Sequence, residues 1–393
     1  MKLTSERWGD VMRRSSVSAD TPPRPNEYWR WQRRTPHASE ETQPMTAAPH
    51  VLFAGGGAVG HVYPGLAIAE HLVRRIPNVE LTFAGSGQAR ERHLVRTAGY
   101  RYAAIPAHGA PQNPVQALRY VTDNVAGYCA ARWMLREQKV SLVVSLGGHA
   151  SATVVKAAIA RGIPVVLLEQ NAVPSRTTRR SSESMTTICA AFDEIRSHLH
   201  VHSTVVLTGN PSRPEFERRY HESIAASGRP GTLPIAADRS RESQVDLAAR
   251  GADVPASSAT SHTAVGQAKR QKRLVIIGGA GGARSLNEHM PIALKQLKDR
   301  LQSWQVVHQT GEGQLSETEN RYREQGVDAL VVSFIDEIAS VLFASDLVVC
   351  RASGPTIAEL ALAGLPALLV PFPLAVDDHQ TENSRVVAAA GAA

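Results

Sequence analysis

The turn Arg351–Pro355 has the residue types of an anion-binding site with a carboxylate beside it. The apolar run Leu347–Cys350 predicts a buried strand before this turn, and Thr356–Ala363 predicts a helix directly after it. Backbone N–H groups and the positive end of the helix dipole would therefore converge at the turn. Glu359, one turn into the helix, is placed to accept hydrogen bonds from sugar or ribose hydroxyls. An isolated glutamate there more commonly stabilises the helix dipole.

A first glycine loop, GGGAVG at residues 55–60, follows a predicted strand and precedes a predicted helix. The pattern GxGxxG in this setting is typical of dinucleotide-binding folds, which also need an acidic residue at the end of the second strand. Here that strand ends in FAGS at residues 83–86, without an acid. His61 follows the loop and suits a reaction that needs a proton acceptor or a phosphate partner. Considered alone, it would be interpreted as a residue that caps a helix start.

Two further motifs end predicted buried strands. GGAGGAR at 278–284 is a second glycine loop, suited to close approach of the backbone to a phosphate. EQN at 169–171 places three polar side chains at the end of an otherwise apolar strand. Buried polar groups need hydrogen-bonding partners, so this strand end is a candidate for ligand binding.

Two polar motifs are predicted to lie in loops. GNPSR at 209–213 has the composition of a turn, and Arg213 within it is suited to a diphosphate. DDHQTEN at 377–383 offers carboxylates, His379 and Gln380 in one segment. A metal site there is conceivable, but a single histidine favours contacts to sugar hydroxyls instead.

These motifs fall in two predicted α/β units. Strands and helices alternate over 49–214 and again over 273–393, which is typical of doubly wound parallel sheets. Each unit opens with an apolar strand that runs into a glycine-rich turn. Residues 215–272 show no sustained periodicity, and we expect a flexible linker or insertion there. The polar segment 1–48 predicts a mostly disordered extension.

Composition limits the function classes. The chain of 393 residues has 43 Lys and Arg against 36 Asp and Glu, a net charge of +7. Residues 1–50 hold 8 basic and 6 acidic residues, and residues 215–273 hold 10 and 7, so these segments supply most of the excess. The predicted folded units are only mildly basic, which argues against a dedicated nucleic-acid surface. Weak attraction to an anionic membrane remains open.

Cysteine usage and hydropathy favour a cytoplasmic location. Cys129, Cys189 and Cys350 are far apart and lack disulfide or metal-ligand spacing, as expected for small buried side chains in a reducing compartment. The N-terminus has no apolar signal-peptide core, and no run of about 18 apolar residues could span a membrane. We expect neither a metal nor another cofactor.

Taken in order, the motifs resemble those of the MurG family of bacterial N-acetylglucosaminyltransferases. They are GGGAVGHVYPGLAIAE, SLGGHASATVVKAAIARGIPVVLLEQNAVP, TGNPSR, VIIGGAGGARSLNE, HQTGEG, FIDEIA, CRASGPTIAELALAGLPALLVPFP and DDHQTEN. The resemblance covers about 50–214 and 273–393 and is more specific than one to GT-B glycosyltransferases in general.

The resemblance implies a GT-B fold, in which two Rossmann-like domains face a cleft, and an enzyme of peptidoglycan synthesis that supports cell shape and division. Such an enzyme transfers GlcNAc from UDP-GlcNAc to lipid I, which is undecaprenyl-diphospho-muramoylpentapeptide, and so produces lipid II. The first unit would be the acceptor domain and the second the donor domain. The family also continues for several dozen residues beyond the end of this sequence, so the resemblance implies an incomplete C-terminal domain.

Carried over position by position, the resemblance implies a donor site in the second unit. Ile335 would meet the uracil, and Gln380 with His379 would contact the GlcNAc hydroxyls. Arg213 and the loop that contains Ala280 would meet the diphosphate and nucleoside. The residues that would face the donor sugar and ribose are Gly354, Pro355, Thr356, Ile357, Ala358 and Glu359, with Glu359 on the ribose hydroxyls.

The implied acceptor site lies in the first unit. The residues that would form its wall are Ala58, Val59, Gly60, His61 and Asn171. The reaction would be an inverting displacement at the anomeric carbon by the muramoyl 4-hydroxyl, with UDP as the leaving group. His61 is the first choice for the base that removes the hydroxyl proton, and Glu169 is the second.

Two positions depart from the family pattern. The first loop usually reads TGGH where this chain has AVGH, and a serine usually stands at the position of Ala280. Each loss of a hydroxyl costs about 1 kcal/mol of binding unless a neighbour such as Ser285 replaces it. These departures keep two alternatives open: a degenerate relative that binds UDP-sugar without turnover, and a GT-B transferase that uses another lipid acceptor.

A polyprenyl acceptor implies work at the cytoplasmic face of the bacterial inner membrane, as a peripheral protein. The region 113–139, predicted as a helix that is broken near residues 124–127, suits an anionic membrane surface because its apolar residues are flanked by cations. The apolar residues are Val115, Leu118, Val121, Trp133, Met134 and Leu135, and the cations are Arg119, Arg132, Arg136 and Lys139. A core helix with a solvated basic edge is the alternative.

Overall fold

The computed structural model describes residues 48–56, 59–109, 113–227, 271–279 and 281–393. The described residues divide into two compact units, and the division falls between Pro211 and Ser212. Each unit is built on a wholly parallel sheet, as the sequence predicts. The predicted N-terminal extension up to residue 47, residues 228–270 of the predicted linker, and Ala58 and Ala280 lie outside the described residues.

The N-terminal unit contains a sheet of seven strands in the order β3-β2-β1-β4-β5-β6-β7. Its strands are β1 His50–Gly55, β2 Glu80–Gly85, β3 Arg101–Ala104, β4 Leu142–Gly147, β5 Val165–Glu169, β6 Thr187–Ala190 and β7 Val205–Leu207. Its helices are α1 Val59–Arg75, α2 Ala89–Thr97, α3 Pro114–Glu137, α4 His149–Ile159 and α5 Arg176–Ser181.

Strand β1 lies at the centre of this sheet, and every one of its residues is buried. Its apolar run therefore packs on both faces, as expected for a parallel strand that helices cover on each side. Phe53 stacks on Phe83 of β2 with ring centroids 4.7 Å apart, whereas Leu52 belongs to the core on the other face, with Ala131 of α3. Consequently, the glycine loop after β1 is held by a rigid strand.

The C-terminal unit contains a sheet of five strands in the order β10-β9-β8-β11-β12. Its strands are β8 Lys272–Ile277, β9 Trp304–Gln309, β10 Leu330–Val332, β11 Leu347–Cys350 and β12 Ala367–Leu369. Its helices are α6 Pro214–Ser227, α7 Arg284–Gln296, α8 Leu315–Gln325, α9 Ile338–Phe343, α10 Gly354–Ala363 and α11 His379–Ala389. The prediction of strand, turn and helix over Leu347–Ala363 is confirmed, and Gly364 ends α10 in a left-handed conformation with φ of 57°.

Helix α6 corrects the predicted linker, because residues 215–227 are helical rather than irregular. The helix carries one fully buried aromatic, Phe216, whose ring lies 6.2 Å from that of Phe343 in α9. Many other residues of α6 are charged, so its apolar content is low. Packing on the C-terminal unit therefore stabilises a helix that the sequence pattern did not reveal.

Helix α3 is continuous, so the predicted break near residues 124–127 is wrong. A β-carbon placed on Gly127 would lie 1.9 Å from the carbonyl oxygen of Pro106. Glycine is needed here because the chain segment after β3 passes directly against the helix. Asn124 supports the same contact, since its amide donates to the carbonyl oxygen of His108 at 3.1 Å.

Helix α11 corrects the prediction that the DDHQTEN motif at 377–383 lies in a loop. The DDHQTEN motif instead spans the start of a helix, which begins at His379. Asp377 and Asp378 precede it with φ of 52° and 53°, a conformation that short polar side chains tolerate better than most. The motif therefore presents its side chains from the first turns of a helix.

Candidate functional site

In the N-terminal unit, the loops after β1 and β4 meet at the carboxyl edge of the sheet. A β-carbon on Gly148 would lie 1.9 Å from the carbonyl oxygen of Gly56 and 3.3 Å from Nδ1 of His61. Gly148 also has a φ of 85°, so two independent constraints require glycine there. The imidazole of His61, in the first turn of α1, thus lies against the Gly147–Gly148 backbone, and Gly60 before it is exposed.

An acidic side chain does reach the end of β2, although the strand itself ends without one. Glu91 of α2 is fully buried, and its carboxylate accepts hydrogen bonds from Ser86 N at 3.0 Å and from the Tyr102 hydroxyl at 3.0 Å. Burial is the largest cause that raises the pKa of Tyr102 to about 12, so this hydroxyl stays a donor. Because these groups occupy it, Glu91 supports the loop edge and does not resemble the exposed ribose ligand of a dinucleotide fold.

Glu169 ends β5 as a buried carboxyl group with neutral donors. Its oxygens accept from Thr178 Oγ1 at 3.2 Å and from the backbone N–H of Asn171 at 3.3 Å. Burial raises the pKa of Glu169 to about 7, because these neutral donors only partly offset the loss of water. The carboxyl group is therefore able to exchange a proton near neutral pH.

The middle residue of the EQN motif is structural. The Gln170 amide donates to the carbonyl oxygen of Leu146 at 3.3 Å, and the Asn210 amide donates to the Gln170 carbonyl oxygen at 3.0 Å. Gln170 thus links the ends of β4 and β5 with the GNPSR motif. The prediction that this strand end needs partners is met by contacts within the protein.

In the C-terminal unit, the turn before α10 is organised as a helix start. The Ser353 side chain accepts from the Thr356 N–H at 3.4 Å, which caps the helix, and Pro355 stands in its first turn. Gly354, Ile357 and Ala358 are buried there. The positive end of the helix dipole lies at this turn and would attract an anion.

Glu359 is ion-paired with Arg213 in a two-point contact. Arg213 Nε lies 2.6 Å from Oε1 of Glu359, and a terminal nitrogen of the guanidinium lies 2.9 Å from Oε2. Burial raises the pKa of Glu359, and the guanidinium opposes that rise. Arg213 also lies over the Phe216 ring at 5.1 Å. The structure thus brings together two residues that the sequence assigned to different parts of the donor.

The second glycine loop is interlocked with the loop after β9. A β-carbon on Gly282 would lie 1.9 Å from the carbonyl oxygen of Thr310. Gln309 connects this loop with the FIDEI motif, since its amide donates to the Gly279 carbonyl oxygen at 3.0 Å and accepts from Ile335 N at 3.1 Å. Ile335 is thereby fixed beside the glycine loop, as a common nucleoside site would need.

Arg351 is a residue whose role the sequence reasoning missed. Its guanidinium donates to Ser285 Oγ at 2.7 Å and to the carbonyl oxygens of Val370 and Pro371 at 3.2 and 2.9 Å. It ties the start of α7 to the ends of β11 and β12. The available signal was a cation directly after a buried strand, beside a small-residue turn. Ser285, considered as a replacement for the missing loop serine, is engaged by Arg351.

The start of α11 lies beside the same sheet edge. Gln380 accepts from the backbone N–H of Phe372 at 2.9 Å, and the fully buried Asn383 donates to the carbonyl oxygen of Ala352 at 3.0 Å. His379 precedes Gln380 as a half-buried residue. These bonds position the DDHQTEN motif next to the turn that starts α10. Within the described part of the chain, no cluster of three His, Cys, Asp or Glu side chains is arranged to hold a metal ion.

Comparison with known proteins is consistent with this arrangement. Residues 51–190 match the glycosyltransferase family 28 N-terminal domain, and residues 273–393 match the family 28 C-terminal domain. The UDP-N-acetylglucosamine–N-acetylmuramyl-(pentapeptide) pyrophosphoryl-undecaprenol N-acetylglucosamine transferase of Geobacter sulfurreducens is 34% identical over 87% of this chain and 83% of its own length. The transferase of the same name from Myxococcus xanthus is 33% identical over 87% and 79%.

A solved structure extends the likeness to three dimensions. The crystal structure of Acinetobacter baumannii MurG aligns with a TM-score of 0.59 and 26% identity, over 87% of this chain and 83% of that one. The two family models fall on the two parallel-sheet units, one on each. The chain therefore belongs to glycosyltransferase family 28, within the family of the MurG N-acetylglucosamine transferases.

Proposed function

We propose that the protein transfers N-acetylglucosamine from UDP-GlcNAc to the muramoyl 4-hydroxyl of lipid I, with inversion, to give lipid II. The observation that carries this proposal is the start of α10 in the C-terminal unit, where a capped helix N-terminus is followed in the second turn by the buried Glu359 carboxylate. That pairing suits a sugar nucleotide, since the helix end attracts phosphate and the carboxylate accepts from hydroxyls. The names of the relatives support the same substrate pair.

Donor binding is assigned to the C-terminal unit. The first turn of α10 and the glycine loop after β8 would receive the diphosphate, while Ile335 would meet the uracil and Glu359 the ribose. Gln380 and His379, at the start of α11, would contact the GlcNAc hydroxyls. Arg213 would act in two ways. Its ion pair would hold the Glu359 carboxylate in place, and its positive charge would attract the diphosphate.

The reaction itself is a single displacement. The muramoyl oxygen forms a bond to the anomeric carbon, the bond from that carbon to the UDP oxygen breaks, and the hydroxyl proton passes to a base. The negative charge that develops on UDP is stabilised by helix N–H groups and nearby cations. In the N-terminal unit, the Gly60–His61 loop and Asn171 would line the acceptor diphosphate.

His61 is the first candidate for the base, and Glu169 is the second. His61 lies in the first turn of α1 against the Gly147–Gly148 backbone, at the edge where the acceptor is expected. Glu169 has a pKa of about 7, close to the value that serves a general base at neutral pH. Replacing each residue separately and comparing pH profiles of the chemical step would assign the role.

The proposal is tested by single-turnover transfer from labelled UDP-GlcNAc to a lipid I analogue, with the Glu359→Gln variant alongside. We expect transfer by the wild type and, for the variant, a KM for UDP-GlcNAc raised roughly 10-fold, because a charged acceptor of ribose hydroxyls is lost. Saturable UDP binding without any transfer would show a binding protein instead. Transfer to diacylglycerol but not to the lipid I analogue would show a different acceptor.

The acceptor implies contact with a membrane, and the exposed face of α3 is the proposed surface. Leu118, Val121, Val125 and Trp133 are 68%, 56%, 59% and 66% exposed. Exposed cations accompany them at Arg119, Arg132, Arg136 and Lys139. Met134 and Leu135, which the sequence also assigned to this face, are buried in the core instead, and the side chain of Val115 lies outside the described residues. None of the described helices is both long and apolar enough to cross a bilayer.

Sedimentation with lipid vesicles tests this surface. We expect binding to vesicles that contain phosphatidylglycerol, and we expect it to weaken as salt rises because cations contribute to it. Replacing Leu118 and Trp133 by serine should reduce binding roughly 10-fold or more, since both side chains would insert between lipids. Val201→Ser is the matched control, an equally apolar residue that is 85% exposed elsewhere in the N-terminal unit. Equal losses in both variants would contradict the assignment of α3.

A further inference from the structure

A row of buried polar side chains crosses the core of the C-terminal unit. His308 of β9 is fully buried, and its ring nitrogens lie 3.0 Å from Oδ1 of Asn287 and 2.9 Å from the Tyr322 hydroxyl. Asn287 and Tyr322 are each 2% exposed. The row therefore joins α7, β9 and α8 through hydrogen bonds, at positions where apolar side chains would fill the same space.

The hydrogen bonds of this row have a single consistent direction. The Asn287 amide nitrogen donates to the carbonyl oxygen of Thr310 at 2.9 Å and to Oε1 of Gln314 at 2.8 Å, so its Oδ1 is left as an acceptor. His308 must then donate from Nε2, and its Nδ1 accepts from the Tyr322 hydroxyl. Burial lowers the pKa of His308 to about 4, which keeps the ring neutral and compatible with this pattern.

The row ends at the glycine loop rather than in the core. Thr310, held by Asn287, is the residue whose carbonyl oxygen would lie 1.9 Å from a β-carbon on Gly282, and Gly311 packs against Gly282 in the same way. Asn287 itself lies in the first turn of α7, directly after the loop. Any displacement of Asn287 would therefore be transmitted to Gly282 through Thr310.

Alternative explanations for the row are weaker. A buried polar network contributes little net stability compared with apolar packing, so core stability alone does not account for it. His308 is fully buried and so cannot contact a substrate directly. The network does supply one fixed geometry, because each N–H and O–H group in it has its own acceptor.

We propose that His308 is a positioning residue, which holds the loop Gly278–Ala283 in the shape that receives the donor diphosphate by orienting Asn287 and Thr310. The inference rests on the proposed function for the identity of the donor. It predicts that the bond from His308 Nε2 to Asn287 matters more for donor binding than the bond from Nδ1 to Tyr322.

Two variants of His308 separate these bonds. In His308→Gln the side-chain amide nitrogen takes the place of Nε2 and still reaches Asn287, whereas in His308→Asn it takes the place of Nδ1 and does not. For H308N we expect KM for UDP-GlcNAc and the calorimetric Kd of UDP to rise about tenfold, the effect of one lost buried hydrogen bond, with kcat and KM for the lipid I analogue unchanged. For H308Q we expect values near those of the wild type.

Val307→Ala is the matched control, because Val307 is fully buried in the same strand and its side chain points to the face of the sheet opposite to His308. It should lower the melting temperature without changing UDP binding. Equal UDP affinity in H308N and the wild type, or an equal loss in V307A and H308N, would overturn the proposal.

If H308N does not fold, the Gln314→Ala variant tests the same proposal. It removes one acceptor of the Asn287 amide at a half-buried position, and we expect a smaller rise in the Kd of UDP, about threefold. An unchanged Kd would then overturn the inference. UDP binding by a wild type that fails to transfer GlcNAc would count against the proposed function, and the same binding series would still decide the role of His308.

Discussion

Glu359 and Glu169 are both buried carboxyl groups, but they differ in the charge of their partners. Glu359 is held by the guanidinium of Arg213, whereas the donors to Glu169 are neutral groups of Asn171, Thr178 and Gln170. Neutral donors offset the loss of hydration less than a cation does. The two groups are therefore suited to different tasks: Glu359 to accepting hydrogen bonds as an anion, and Glu169 to gaining and losing a proton.

Removing Arg213 should leave a buried charge behind. We expect Arg213→Met to lower the free energy of unfolding at pH 8 by about 3–5 kcal/mol, and by less at pH 5, where Glu359 can take up a proton instead. Urea unfolding at both pH values measures this. The double variant with Glu359→Leu is the control and should recover much of the loss. An Arg213→Met variant as stable as the wild type at pH 8 would contradict the buried pairing.

Glu169 should also make the free energy of unfolding depend on pH. Here the cause is a proton that the folded state binds, rather than the loss of an ion pair. The pKa of Glu169 is about 7 in the folded protein and near its ordinary value of 4.5 when unfolded, so the folded state binds more protons between these values and loses stability as pH rises through them. Glu169→Gln removes this loss. Relative to the wild type, the variant should gain up to about 3 kcal/mol of unfolding free energy from pH 5 to pH 8. Glu194→Gln, at an exposed position, should show no such trend.

The sequence placed most of the site residues on the correct strand ends but not their partners. Glu359 and Arg213 were both recognised, yet nothing in their separation of 146 residues indicated that they form one ion pair. Glu91 was overlooked because it reaches the end of β2 from a neighbouring helix. Contacts between side chains from distant elements depend on the packing of the fold, which local patterns do not specify.

At the scale of elements, the sequence predicted strands correctly from continuous apolar runs, but it did not predict helices that are mostly polar. β11 was predicted with the bounds that it has, and β1 was predicted directly before the first glycine loop, because both faces of each strand are buried. α6 and α11 were missed because each has few apolar residues and is stabilised by its neighbours. Gly127 caused the opposite error, because a break was predicted where the helix continues. In the sequence, a glycine that permits close packing resembles one that ends a helix.

Gly127→Ala therefore tests the packing of α3. The new β-carbon would clash with the Pro106 carbonyl, and we expect a loss of about 1–3 kcal/mol in unfolding free energy although alanine favours helices. Gly60→Ala in α1 is the matched control, because its β-carbon would meet no atom within 4 Å, and it should be neutral or slightly stabilising. A stabilised Gly127→Ala variant would indicate that the segment after β3 does not pack as described.

At the scale of the whole molecule, the two units repeat one plan. Each has a glycine loop after its first strand and polar side chains at the carboxyl ends of neighbouring strands, as ligand sites in open parallel sheets require. The net charge of +7 indicates no function by itself, because much of it falls in segments outside the described residues. The division of roles between the units rests on the residues at those edges.

Helix α6 precedes residue 228 in the chain but packs on helices that follow residue 270, with Phe216 against Phe343 and Arg219 bonded to Ser340 at 2.9 Å. Splitting the gene after codon 249 would thus separate the helix from its own unit. Co-expressed fragments 1–249 and 250–393 should copurify through this helix, and Phe216→Ser should abolish their association. If they do, the protein offers a natural split site, with glycosyl transfer as the reporter of complementation.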